Sequence, residues 1–226
     1  MILLVVDTSG KHGSVALART SESAEATDVK VIESIPLAGG TFSAQLVPQI
    51  AGLLNQHGLS KSDIDAFIVV SGPGSFTGLR VGLAAIKALA EILRKPIVPV
   101  SLLEVIAIAS RTQGRIAAAL DAGRGEIYVG EYTVDGQSAQ PLREQLLSKE
   151  EFLAARKGAV ATPDAAFAQA AREAGLSVFA VDPPNAEIIG GLGWSKLRNR
   201  DTVSPEQLEA NYIRRSDAEI FVKIIP

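Results

Sequence analysis

VSGPGSFTGLRVGLAAIKALAEIL, residues 70–93, places a glycine-rich loop between an apolar, strand-like run and a long helical segment. In α/β proteins such a loop often holds a phosphate group at the start of the helix. This loop lacks the Lys-Ser/Thr pair of a Walker A sequence, and its glycines, Gly72, Gly74 and Gly78, are one residue too widely spaced for the Rossmann pattern. A tight turn in which Ser75 or Thr77 caps the helix explains the same residues without a ligand.

The helix after the loop is apolar over most of its circumference. Its charged residues, Arg80, Lys87 and Glu91, fall within about 40° of one another at about 100° per residue, whereas a surface helix needs an apolar stripe of little more than about 100°. The preceding helical segment, 41–56, carries no charge, because no Asp, Glu, Lys or Arg occurs between Glu33 and Lys61. Two charge-poor helices favour a protein interface, and the alternative is that both are buried centrally between two subdomains.

The side chains predicted for this interface are the large apolar ones of both helices. They are Phe42, Leu46, Ile50, Leu53, Phe76, Leu79, Leu83, Ile86 and Leu89.

One arrangement of strands occurs twice along the chain. The apolar run Ile2–Val6 ends in DTSGKHG and resumes as SVALAR, which predicts a hairpin, and a third strand, a helix, a strand, the second helix and a short strand follow. Ile116–Leu120, the turn DAGRGE and Ile127–Thr133 repeat this hairpin, so that Asp121 corresponds to Asp7. We therefore predict two tandem α/β subdomains, residues 1–100 with the interface helices and residues 101–226, whose final helix is free to pack back on the first.

Composition limits the function. The 226 residues are 47% apolar and 21% charged with a net charge of −3, which suits a buried core and argues against a wholly basic nucleic-acid surface. The absence of cysteine excludes disulfides, thiolate metal sites and cysteine nucleophiles. The opening MILLVVD has no basic leader and soon reaches an acid, so we expect neither a signal peptide nor a membrane span, and a cytoplasmic location.

GPGSFTGLRVGLAAIKALA resembles the signature of the bacterial TsaB family, also called YeaZ. The resemblance extends to LLVVDTSGKHGSVALA, SLLEVIA, LDAGRGEIYVGEY and LEANYIRRSDAEI, and so covers nearly the whole chain. It implies an ASKHA-type α/β fold of the actin-like ATPase superfamily, with two RNase H-like subdomains and mixed sheets. It also implies a role in making N6-threonylcarbamoyladenosine (t6A) beside the anticodon of tRNAs.

The resemblance implies a non-catalytic scaffold and dimerisation subunit that binds and activates TsaD, the threonylcarbamoyltransferase. The implied partners are a TsaD-like catalytic subunit, a TsaE-like ATPase and a second copy of the chain when it is alone, with tRNA reached only through the complex and no membrane contact. No resident cofactor is implied, although ATP or ADP with Mg at a shared surface of the complex stays open.

TsaD-like relatives carry two metal-binding histidines, one helical turn apart, in a segment that aligns with VSLLEVI. The corresponding residues here are Leu102 and Ile106, whose aliphatic side chains cannot bind an ion, so we expect neither a metal site nor a catalytic residue. A second departure is Phe42-Ser43 at the start of the first helix, where relatives often have a His-Ser pair.

A nucleotide-binding phosphotransferase is the alternative function, because Asp7 and its turn sit where active ASKHA proteins hold a metal-bound phosphate, with Asp121 as the counterpart. On this hypothesis the anion or nucleotide residues are Asp7, Thr8, Ser9, Gly74, Ser75 and Thr77. The structural interpretation is that Asp7 only ends its strand and caps the turn. A glycoprotease-like metallopeptidase is less favoured, since the metal ligands are missing.

The remaining polar and glycine motifs favour structural roles. His12 and His57 are isolated from any Ser or Asp at a triad spacing, and the run 190–193, GGLG, favours close helix packing over adenosine contact. The one local basic concentration, which we interpret as a solvated surface, is formed by Arg198, Arg200, Arg214 and Arg215.

Overall fold

The computed structural model describes residues 1–20, 29–136, 138–155 and 158–214, so the polar segment 21–28 and Arg215 lie outside the described residues. A first sheet is formed by strands at Ile2–Asp7 (β1), His12–Thr20 (β2), Val29–Ala38 (β3), Ala66–Gly72 (β4) and Ile97–Ser101 (β5). A second sheet is formed by strands at Gly114–Gly123 (β6), Glu126–Asp135 (β7), Ser138–Ser148 (β8), Ala159–Thr162 (β9) and Ser177–Ala180 (β10).

The helices are Phe42–Gln56 (α1), Phe76–Leu93 (α2), Leu102–Ala109 (α3), Lys149–Ala155 (α4), Ala165–Glu173 (α5) and Ala186–Arg198 (α6). A single 3₁₀ turn at Lys61–Asp63 precedes β4. Within the described ranges, none of these helices has the length and apolar content needed to cross a membrane.

Both sheets have the same strand order. The first runs β3-β2-β1-β4-β5, with antiparallel pairs among β1, β2 and β3 and parallel pairs from β1 to β4 and β4 to β5. The second runs β8-β7-β6-β9-β10 with the same mixture of pairings. Short turns join β1 to β2 and β6 to β7, and longer connections containing helices join the parallel strands. The predicted repeat and the predicted RNase H-like mixed sheets are therefore confirmed.

The chain forms two compact units. One contains residues 1–105 and 183–210, and the other contains residues 106–182 and the chain from 211 onward. The sequence division at residue 100 differs from this one because α6 packs on the strands of the first sheet. The glycines of α6 allow this contact: a Cβ at Gly193 would lie under 3.0 Å from the Ile68 side chain, and one at Gly190 would lie 3.3 Å from Val29.

After α6 the chain passes along the edge of the first sheet. Val203 forms an isolated antiparallel bridge with Ile97 of the edge strand β5, and its amide donates to the Ile97 carbonyl at 2.9 Å. Leu208 is 1% exposed and joins the same apolar cluster as the inner faces of α1 and α2. Residues 203–208 therefore complete the core of the first unit.

Three elements carry no clear sequence signal and were not predicted. The strand β8, SAQPLREQLLS, is an edge strand with mostly exposed or half-buried side chains and an internal proline, so it lacks the alternation of a half-buried strand. The helix α3 is short and almost wholly apolar, and β9 has only four residues. Neither length supports a periodic pattern.

Candidate functional site

The turn that follows β1 is packed inside the first unit. Asp7 is 8% exposed, and Thr8 and Ser9 are almost fully buried. One carboxylate oxygen of Asp7, Oδ1, accepts hydrogen bonds from the Ser9 amide at 2.8 Å and from the Ser9 hydroxyl at 2.6 Å. Burial raises the pKa of Asp7, and the hydrogen bonds from Ser9 oppose this increase only in part. The carboxyl group is therefore used to hold its own turn.

The glycines of the quoted stretch lie directly on this turn. A Cβ at Gly74 would come within 3.0 Å of the Ser9 carbonyl oxygen, and Cβ atoms at Gly78 and Gly82 would come equally close to the carbonyl oxygen and the hydroxyl oxygen of Thr8. No side chain fits at these three positions without a shift of the turn. The glycines thus let α2 approach the end of β1.

Two of the backbone amides near the start of α2 are already engaged. The Ser75 amide donates to the Ser9 carbonyl at 2.6 Å, and the Gly78 amide donates to the Ser75 hydroxyl at 3.3 Å, which caps the helix. The structure brings together all the residues predicted for an anion, but as a packed turn and helix cap, which favours the structural interpretation of the loop. Binding of an anion or nucleotide stays a prediction.

The close seating of α2 can be tested with glycine substitutions. We expect Gly78→Ala and Gly82→Ala each to lower the free energy of unfolding by about 2–3 kcal/mol, because the added methyl group has no space. Gly52→Ala is the matched control, since a Cβ at this exposed position in α1 meets nothing within 4 Å and should add about 0.5–1 kcal/mol through helix propensity. Urea denaturation of the three variants measures the difference, and equal stability would contradict the packing.

Asp7→Asn tests the buried carboxyl group. A pKa raised in the folded state means that Asp7 favours folding below its ordinary pKa and that this stability is lost as the pH rises through the raised pKa. We therefore expect Asp7→Asn to be more stable than the parent at pH 7 and the advantage to shrink toward pH 3. Unfolding free energies measured from pH 3 to pH 8 provide the test. An advantage that grows toward pH 3 would reverse the expected sign.

Seven of the nine side chains predicted for an interface are part of the core of the first unit. They are Phe42, Leu46, Ile50, Leu53, Leu79, Leu83 and Ile86, each at most 5% exposed, while Phe76 and Leu89 are half-buried. Their burial within this unit explains why the inner faces of both helices are apolar. An interface on α1 and α2 would have to use the opposite faces of these helices.

The outward faces of α1 and α2 are also poor in charge. The exposed residues of α1 before its last residue, Gln56, are Ser43, Ala44, Val47, Pro48, Ala51, Gly52 and Asn55, and those of α2 are Thr77, Arg80, Ala84, Ala88, Glu91 and Ile92. Val47 is 56% exposed and Ile92 is 70% exposed. Ordinary surface helices place charged residues on this face. We call the exposed residues of α1 and α2 given above the outer face.

A cavity of about 470 Å³ opens where α1 and α2 begin. It is lined by Gly10, Lys11, Gly39, Gly40, Phe42, Ser43, Ser75, Thr77, Gly78 and Val81. Phe42 is 5% exposed, and its ring fills the space beside Gly13 and Gly78. Phe42, which stands where the family resemblance leads us to expect a histidine, is thus a packing element of the first unit.

The remaining candidates have ordinary structural environments. Leu102 and Ile106 are buried, and no group of three His, Asp or Glu side chains in the described part of the chain could hold a metal ion. His57 lies 2.6 Å from Glu33 at the surface, and His12 is exposed. Asp121 is 40% exposed and pairs with Lys149 at 2.6 Å, so the counterpart of Asp7 lies in a very different environment.

The residues of the predicted basic concentration belong to both units, and Arg215 lies outside the described residues. Arg214 pairs with Glu126 and lies over the ring of Tyr128, with 6.0 Å from the guanidinium carbon to the ring centre, whereas Arg198 and Arg200 are exposed near the end of α6. Arg214 is therefore committed to contacts within its own unit.

A buried ion pair was missed by the sequence analysis. Lys196 of α6 lies 3.2 Å from Glu104 of α3, whose side chain is 9% exposed, and 3.3 Å from Asp201. Burial lowers the pKa of Lys196, but the attraction of Glu104, followed by that of Asp201, outweighs it and raises the pKa overall. The partners are 92 positions apart in the sequence, so no local pattern connects them.

Removal of the Lys196 ammonium group should destabilise the first unit. We expect Lys196→Met to lose about 2 kcal/mol, because Glu104 stays buried without that cation. Lys149→Met is the matched control, since its partner Asp121 is well exposed and the loss should stay below about 1 kcal/mol. Thermal unfolding at pH 7 compares the two. A loss no greater for Lys196→Met than for the control would show that the pair is not important for stability.

Two solved structures from other proteins superpose on this chain and support the fold described above. YeaZ from Pseudomonas aeruginosa superposes with a TM-score of 0.73 at 27% identity, covering 93% of this chain and 99% of that one. A second structure, of a Pseudomonas aeruginosa protein with similarity to peptidase YEAZ, gives a TM-score of 0.74 at 28% identity, over 94% of this chain and 99% of that one.

Sequence comparison finds relatives that are named TsaB. The tRNA threonylcarbamoyladenosine biosynthesis protein TsaB of Escherichia coli is 29% identical over 96% of both chains, and that of Haemophilus influenzae is 28% identical over 95% of this chain and 94% of the relative. TsaB of Bacillus subtilis is 35% identical over 58% of this chain and 55% of the relative.

A family model also matches residues 36–200, and its description is TsaD, tRNA N6-adenosine threonylcarbamoyltransferase. The duplicated mixed sheets define an α/β protein of the ASKHA class. Within that class, the chain belongs to the TsaD family and, in it, to the TsaB (YeaZ) group.

Proposed function

We propose that this chain is a non-catalytic subunit of the machinery that makes t6A in tRNA, and that it binds and activates a TsaD-like threonylcarbamoyltransferase. The observation that carries the proposal is the outer face of α1 and α2, which presents exposed apolar side chains such as Val47 and Ile92. Such a surface suits contact with another protein. The TsaB relatives, named for threonylcarbamoyladenosine biosynthesis, supply the pathway.

The local chemistry supports an accessory role over catalysis. Leu102 and Ile106 cannot replace the histidines of TsaD-like relatives, and the amides of Ser75 and Gly78 are occupied within the chain. The same contacts weigh against the alternative, a phosphotransferase centred on Asp7. We propose that any ATP or ADP with Mg binds at a surface shared with a partner.

The wider assembly follows from the same proposal. A TsaE-like ATPase would join the complex, tRNA would be reached through the complex, and the chain would self-associate through the outer face when no TsaD-like partner is present. We propose that the chain acts in the cytoplasm.

Reconstitution of threonylcarbamoyl transfer from purified components, with and without this chain, tests the function. We expect omission of the chain to reduce the rate by roughly 10-fold or more. A Val47→Glu plus Ala88→Glu variant should fail to restore it, because two carboxylates would enter the outer face, whereas Leu83 and Ile86 are unsuitable for mutation since both are in the core.

The matched control is Leu142→Glu, which places a charge at a 53% exposed apolar position in the second unit. It should activate the transferase as well as the parent does. Pull-down of the TsaD-like subunit with each variant separates loss of binding from loss of activation. Full activity and binding of the Val47→Glu plus Ala88→Glu variant, with an unchanged melting temperature, would remove the outer face from the proposal.

A further inference from the structure

A groove of about 510 Å³ lies within the second unit, between the strands β7 and β8 and the helix α4. Small-molecule sites in proteins commonly have volumes of about 300–1,000 Å³. We call it the α4 groove. The residues that line it are Glu131, Arg143, Gln145, Leu147, Glu151, Phe152 and Ala155.

The internal repeat explains why the α4 groove exists. In each unit a helix follows the third strand, α1 after β3 and α4 after β8. The helix α1 has 15 residues and α4 has seven, so α4 is about 12 Å shorter at about 1.5 Å per residue. A part of the sheet face that α1 covers in the first unit therefore extends beyond the end of α4 in the second.

The floor of the α4 groove is charged where the first unit is apolar. On the face of β2 that α1 and α2 cover, Val15 and Leu17 are fully buried. On the face of β7 that α4 and α5 cover, Val129 is buried but the next residue on that face is Glu131. The strand register places Arg143 of β8 directly opposite Glu131. A pair of opposite charges thus occupies the uncovered part of the sheet.

This charged pair is open at the surface. Nη2 of Arg143 lies 3.2 Å from Oε1 of Glu131, and the two side chains are 58% and 29% exposed. The amide of Gln145 lies on the same face of β8, and the first turn of α4 adds the exposed carboxylate of Glu151. The groove therefore offers donors for a carboxylate beside acceptors for an ammonium group.

The α4 end of the groove is apolar. The Phe152 side chain belongs to the core cluster of the second unit, and the half-buried Leu147 packs against that cluster. The methyl group of Ala155, the last residue of α4, is exposed beside them. An apolar side chain of a ligand can be buried here.

We propose that the α4 groove binds a free α-amino acid with a large apolar side chain, such as leucine or phenylalanine. Its carboxylate accepts hydrogen bonds from Arg143 and Gln145, its ammonium group donates to Glu131 and Glu151, and its side chain contacts Phe152. The inference goes beyond the proposed function and does not rest on it.

The spacing of the charges favours a free amino acid over the end of a peptide chain. A C-terminal peptide segment supplies a carboxylate without a nearby ammonium group, and an N-terminal segment supplies the reverse. A free amino acid carries both charges on one carbon atom, which suits opposite charges that lie 3.2 Å apart in the groove.

Isothermal titration calorimetry of the full chain with L-leucine and L-phenylalanine tests the ligand class. We expect a dissociation constant of roughly 1 mM or lower. N-acetyl-L-leucine lacks the ammonium group and L-leucinamide lacks the carboxylate, so each should bind at least roughly 10-fold more weakly. Binding of either blocked compound as tight as that of L-leucine, or no binding of L-leucine at about 10 mM, would overturn the inference.

Variants locate the site. Arg143→Gln and Glu151→Gln should each weaken L-leucine binding by roughly 10-fold or more, and both positions are exposed, so the melting temperature should stay that of the parent. Ala155→Phe should weaken binding as well, because its ring would fill the apolar end of the groove.

The matched control is Arg115→Gln, which removes an exposed arginine from β6 of the same unit and should leave binding unchanged. Folded variants of the groove that bind L-leucine like the parent would remove the ligand from this site. The titration uses the chain without partners, so its failure leaves the proposed function intact. Equally, a failed transfer assay would leave the amino-acid site to be judged by calorimetry.

Discussion

The first unit depends on how closely α2 can approach the end of β1. Three glycines at intervals of four residues, Gly74, Gly78 and Gly82, remove every Cβ that would hold the helix away from Thr8 and Ser9. The Ser75 amide then bonds to the Ser9 carbonyl, and the apolar inner face of the helix packs on the sheet. A glycine pattern that suggests phosphate binding in the sequence thus functions as a contact surface between a helix and a turn.

The turn after β1, on which α2 packs, also distinguishes the two repeats. In the first unit the acid that ends the leading strand, Asp7, is buried and accepts hydrogen bonds from its own turn. In the second unit its counterpart, Asp121, is exposed and neutralised by Lys149. The layout of strands is repeated, but the chemistry at the end of the strand is not. A common duplicated fold has therefore been adapted differently in each half.

The sequence predicted the repeat and most of the strands because hairpins and buried parallel strands leave strong local patterns. It identified α1 and α2 as unusually apolar, yet it did not separate their inner residues from their outer ones, since α1 carries no charged residue and the charges of α2 mark only a narrow strip. The ion pair between Lys196 and Glu104 was beyond reach because it joins residues 92 positions apart. The edge strand β8 was missed for the opposite reason, as its exposed side chains resemble those of a loop.

The discontinuity of the first unit has a consequence for synthesis. Residues 1–105 leave the ribosome first, but α6 and the edge segment at Val203 and Leu208 come after the whole of the stretch 106–182. During that interval one face of the first sheet and the edge of β5 lack the cover that the mature protein gives them. The nascent chain must therefore delay completion of its first core until its second has been made, a period in which an exposed sheet edge invites pairing with other chains.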